Sequence, residues 1–146
     1  MFLSLLIGFL IMLFCLFLQA VFLALCLRQY VRFRQVEQSH ASLVSNTLLL
    51  GLVMLVMLLG NFVQTAIWAA LFLYLGEFDT FETALYFSGV NFATLGYGDI
   101  VMTEEWRLLG PLEAANGILM FGVSTAVLTG AVSDIIKQTK VRRHGH

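Results

Sequence analysis

Charged side chains are scarce in this sequence: Asp, Glu, Lys and Arg make up 12% of its 146 residues, against 60% hydrophobic. With a mean hydropathy of +0.90, the chain has too little polar surface for a water-soluble globule of its length. Proline occurs once, at Pro111, so long stretches are free to be helical. The two cysteines, Cys15 and Cys26, both fall in the first apolar run, where lipid gives no reason for a disulfide and a small apolar role suffices. No arginine recurs periodically inside an apolar run, which excludes a voltage sensor of the charged-helix kind. No internal repeat occurs, and His144 and His146 have no sequence neighbours that would complete a metal site; His40 with the basic 28–34 segment could sense pH or bind anionic headgroups, or serve with it only to set topology.

What remains is length of apolar chain. Met1–Leu27 and Leu43–Gly76 hold no charged residue, and each exceeds the ~20 residues that cross a hydrocarbon core. A third run extends from Pro111 to Ile136, with Glu113 near one end and Asp134 and Lys137 near the other. The first run lacks a basic start and a small-x-small cleavage site and outruns the ~7–15 apolar residues of a secretion signal, so it is expected to be a retained helix. Seven of the eight basic residues flank the spans on one side: Arg28, Arg32 and Arg34 after the first, Lys137, Lys140, Arg142 and Arg143 after the third. By the positive-inside rule that side is the cytoplasm, which puts the N-terminus outside and the C-terminus inside. Glu77, Asp79, Glu82, Asp99, Glu104, Glu105 and Glu113 then gather on the outer side.

Between the second and third spans lies a segment too polar to cross and too apolar for water. Phe81–Ala93 reads as a helix, with Asp79 and Glu82 spaced as a loose capping box. At 1.5 Å per residue it reaches only ~20 Å, enough to enter a membrane halfway. Next comes Thr94-Leu95-Gly96-Tyr97-Gly98-Asp99. A dehydrated cation needs rings of oxygen, and identical strands supply them if each turns consecutive carbonyls to one axis. Ordinary extended backbone alternates its carbonyls, and glycine at alternate positions, Gly96 and Gly98, lifts that restriction. Leu95 and Tyr97 are expected to pack behind the strand, and irregular backbone at such depth argues for a water-filled path.

This hexapeptide between two spans resembles the selectivity filter of the tetrameric pore-loop potassium channels, usually Thr-Val-Gly-Tyr-Gly-Asp, with Leu95 in place of valine. The resemblance implies an all-α membrane protein: three transmembrane helices, a re-entrant pore helix and a selectivity filter, assembled as a four-fold homotetramer. Its parts would be an extra N-terminal helix over 1–28, a cytoplasmic basic loop over 29–43, and a pore domain over 44–137. That domain would comprise an outer helix over 44–76, a pore helix over 80–93, the filter over 94–99 and an inner helix over 111–137, leaving a tail over 138–146. The implied function is passive conduction of K+ across the plasma membrane, with no enzymatic activity and no cofactor. The ion would sit at Thr94, Leu95, Gly96 and Tyr97, with Gly98 completing the filter.

Comparison with the family also suggests supporting roles. Tyr86 is placed to hydrogen-bond Asp99 behind the filter, whereas Val90 stands where some relatives carry a buried carboxylate. Gly117 matches an inner-helix hinge, and Gly122 is expected at a close helix contact. Ile118, Phe121, Thr125, Thr129 and Ser133 share one helical face, expected to line a cavity, though the hydroxyls could equally bond backbone within their helix. Asp134 could join an inner acidic ring or pair with Lys137. Asn61, Gln64 and Thr65 read as interhelical glue. The nine residues after Lys137 are too few for a regulatory domain, so gating is expected within the membrane, in short loops, or from a regulatory partner. Expected partners are further copies of the chain and membrane lipid, with no nucleic acid. Three alternatives stay open: a non-selective monovalent cation channel, a non-conducting regulatory subunit of a transporter, and a structural helical membrane protein with a coincidental loop.

Overall fold

The computed structural model describes residues 2–36 and 43–144, with no side-chain description for 33–36, Leu43 and 138–144. Four helices account for most of them: α1 (Phe2–Val36), α2 (Leu43–Tyr74), α3 (Phe81–Phe92) and α4 (Leu109–His144). No strand occurs among the described residues. Three segments are long and apolar enough to cross a membrane: Phe2–Arg32, Val44–Tyr74 and Leu109–Lys137. The first, at 31 residues, measures about 46 Å along its axis, more than the ~30 Å hydrocarbon core.

Several boundaries differ from expectation. The basic stretch assigned to a loop over 29–43 continues α1 as far as Val36, and α2 has begun by Leu43. Arginine and glutamine are good helix formers, and no glycine or proline interrupts Arg28–Val36. The tail over 138–146 is helical as far as His144, while His40 and His146 lie outside the described residues. α3 is capped by Thr80 rather than by a box starting at Asp79: the Thr80 hydroxyl accepts from the Thr83 backbone N–H at 3.2 Å. A threonine directly before the first helical residue has the geometry an acidic residue one step earlier lacks.

α2 and α4 pack against each other, and α3 packs against both. α1 packs against α2 and α4. Close approach is achieved at small residues, as membrane helix packing requires. A Cβ at Gly8 of α1 would stand 2.5 Å from Leu112 of α4, and one at Gly60 of α2 would stand 3.2 Å from Gln19 of α1. The core beside α3 is aromatic. Phe72 meets Phe87 edge-on at 5.4 Å and Phe78 at 6.4 Å, with Trp68 tilted against it at 5.9 Å.

Two contacts set the direction of α1. Near its start, the Ser4 hydroxyl donates to the Glu105 carbonyl at 2.9 Å. Towards its end, the Tyr30 hydroxyl donates to Asp134 Oδ2 at 2.5 Å. Arg28 and Arg32 therefore share an end of the bundle with Lys137, and residues 99–105 lie at the opposite end, as three spans of alternating direction require.

Candidate functional site

α3 ends against the rest of the chain in a tight reversal. The Ala93 N–H is held by the Gly89 carbonyl, Thr94 N–H donates to Asn91 O at 2.8 Å, and Leu95 N–H donates to Val90 O at 2.8 Å. From there the backbone alternates. Thr94, Gly96 and Gly98 have φ of 60°, 56° and 74°, the left-handed region that glycine enters freely and threonine does not. Among the described residues, no hydrogen bond is accepted by a backbone carbonyl of residues 94–98. Five successive carbonyls, on residues that are exposed in the single chain, are thus left without an internal partner.

The end of this turn is braced. The Tyr86 hydroxyl donates to Asp99 Oδ2 at 2.6 Å. That bond holds the Asp99 carboxyl below its usual range and raises the Tyr86 phenol, because it favours the charged acid and the protonated donor together. Further along, Glu77 grips Thr103 through both the backbone N–H (2.7 Å) and the hydroxyl (2.6 Å).

Leu95 and Tyr97 depart from expectation within the single chain. They are 55% and 65% exposed instead of packed. An open groove of about 420 Å³ lies between the turn, α3 and the start of α4, lined by Tyr86, Phe87, Val90 and Pro111. Ile118, Phe121, Thr125, Thr129 and Ser133 are likewise all exposed on α4. Thr125 and Thr129 donate their hydroxyl hydrogens to the carbonyls of Phe121 and Thr125, at 2.8 and 2.9 Å. Phe121 also meets Phe92 edge-on at 5.7 Å.

Gly117 and Gly122 of α4 prove different. A Cβ at Gly117 would stand 1.9 Å from the Phe92 carbonyl oxygen, so a close crossing of α3 and α4 alone requires glycine there. A Cβ at Gly122 would meet no atom of another element within 4 Å among the described residues, so the close contact expected there is not made within them.

Behind the turn lies a polar cluster that the residue types only partly disclose. Gln64 Nε2 donates to Gln19 Oε1 at 2.7 Å, Asn116 Nδ2 donates to Gln64 Oε1 at 3.5 Å, and Asn61 Nδ2 donates to Ser124 Oγ at 3.3 Å. Asn61 and Gln64 therefore do join helices, whereas the Thr65 hydroxyl bonds its own helix at Asn61 O. Glu113 is the larger surprise. It does not belong to the outer acidic set, being fully buried and in hydrogen-bond contact with Ser88 of α3. A carboxyl about one turn inside an apolar span was the signal available, since such residues rarely face lipid.

A family model described as "Ion channel" matches residues 62–134, half of the chain, from the middle of α2 through α3, the turn and most of α4. No match was found among curated proteins or among solved structures. With its three membrane-length helices, the chain belongs to the ion channel family and is a multi-pass membrane protein rather than an enzyme.

Proposed function

We propose that the chain is the subunit of a potassium-selective channel, with residues 94–98 as the filter and four copies around one axis. The observation that carries this reading is the left-handed backbone at Thr94, Gly96 and Gly98, with every carbonyl between 94 and 98 free of internal hydrogen bonds. Alternating backbone of this kind can turn successive carbonyls to one side, where they replace the hydration shell of a permeant cation. One chain holds one such segment, so an enclosed pore needs several chains, and closed rotational symmetry is the usual solution. The exposed Leu95 and Tyr97 and the open groove beside α3 support that assembly, since neighbouring copies would cover them. In it α3 is the pore helix, its C-terminal dipole end directed at the ion path. The exposed α4 face from Ile118 to Ser133 lines the cavity. The basic ends of α1 and α4 face the cytoplasm at the plasma membrane, and K+ moves down its gradient.

Purified protein in defined liposomes tests this. Potassium flux without added partners is expected, with a bi-ionic reversal potential far from zero for K+ against Na+. Equal permeability would replace the selective reading with a non-selective cation channel. Silence from a verified tetramer would favour a regulatory subunit.

A further inference from the structure

The Ser88 hydroxyl has one hydrogen and two oxygen neighbours that could accept it. Its Oγ stands 2.7 Å from the Thr65 carbonyl of α2 and in hydrogen-bond contact with Glu113 Oε1 of α4. A peptide carbonyl only accepts, so the Ser88 hydrogen lies towards Thr65. The Glu113 contact then needs a hydrogen from the other partner, which a carboxyl supplies only when protonated. The surroundings agree. Glu113 is fully buried, and among the described residues no basic side chain pairs with it. An ionised carboxylate there would suffer desolvation without compensation. Its second oxygen, Oε2, has no hydrogen-bond partner among the described residues, an omission far costlier for a charged oxygen than for a neutral one. The polar groups facing this junction, Cys15 of α1 and Asn116 of α4, supply no cation.

We propose that Glu113 is a neutral carboxylic acid whose O–H donates a hydrogen bond to the Ser88 oxygen, and that the chain of hydrogen bonds from Glu113 through Ser88 to Thr65 is the positioning element fixing α3 against α4 and α2. The positioning role rests on the proposed channel function, because α3 carries the 94–99 turn at its C-terminal end. The charge state does not rest on it. A membrane-buried acid of this kind needs no counter-ion, and it joins three helices at one point without placing a charge beside the ion path.

Infrared difference spectra of the protein in lipid test the protonation directly. At neutral pH a carbonyl-stretch band of a protonated carboxyl is expected; it should vanish in Glu113→Gln and move to higher frequency in Ser88→Ala, where the bond is lost. Absence of that band, or its persistence in Glu113→Gln, would overturn the proposal. Potassium flux tests the positioning. Glu113→Gln keeps a neutral donor and should stay within roughly threefold of the parent, whereas Glu113→Ala should lose about tenfold or more. A Gln variant as impaired as the Ala variant, in equally well assembled protein, would overturn the donor role. If the parent carries no flux, the channel reading fails, and the infrared band still decides the protonation.

Discussion

The two sides of the 94–99 turn treat polar groups in opposite ways. On one side, five carbonyls from Thr94 to Gly98 and the α4 face from Ile118 to Ser133 stand exposed, their polar atoms unpaired or bonded only to their own helix. On the other, Gln19, Gln64, Ser88, Glu113 and Asn116 are buried and joined across helices. In lipid an unsatisfied backbone group is costly, so the exposed side is complete only when water, ions or other copies of the chain meet it. The buried side is joined across helices within the chain, with Glu113 Oε2 and Asn116 Oδ1 left over among the described residues. The two sides differ in where their partners lie: the exposed carbonyls have none within the chain, whereas the cross-helix bonds of the buried side hold the helices that present them.

The largest effect should come from the exposed side. Gly96 has φ of 56° and open space where a Cβ would go, so Gly96→Ala introduces conformational strain of about 1–2 kcal/mol without a collision. Flux is expected to fall by at least about a hundredfold because carbonyl placement is lost, while the protein still folds and assembles. Retained flux in that variant would remove the exposed side from the ion path. Next is the contact between the sides. Gly117→Ala drives a methyl into the Phe92 carbonyl and should destabilise the fold by roughly 1–3 kcal/mol in detergent unfolding, whereas Gly122→Ala, whose methyl meets no atom of another element among the described residues, should leave that measurement almost unchanged.

A smaller loss is expected within the buried side. Gln64→Leu breaks the link from α1 through α2 to α4, and interhelical hydrogen bonds of this kind average about 0.6 kcal/mol in a bilayer. A shift well beyond that would mean that the cluster acts as one cooperative unit. The smallest effect belongs to the exposed brace. Tyr86→Phe removes the donor to Asp99 and should change potassium flux only a few-fold at neutral pH. Its pH dependence has a definite sign. Asp99 lies below its usual 3.8, so its contribution is present above that value and lost as pH falls through the lowered one. Tyr86 lies above its usual 10.0, so its contribution is complete below that value and lost as pH rises through the raised one. Titrating flux in both proteins should therefore show the difference vanishing at the acid and alkaline extremes.

Sequence alone determined the three spans, because an uncharged run longer than the hydrocarbon core admits few other environments. It also determined the common side of Arg28, Arg32 and Lys137, and it marked residues 94–99 as the place where backbone conformation matters, since glycine at alternate positions is a local property. Tertiary structure decided what depends on neighbours from other helices. Whether Gly117 or Gly122 is a contact glycine turns on where α3 crosses α4. Whether Glu113 is an outer charge or a buried acid turns on Ser88, far away in sequence and brought to it only by packing. Local pattern encodes conformation and solvent preference, whereas the partner of a buried polar group is fixed by the arrangement of the whole bundle.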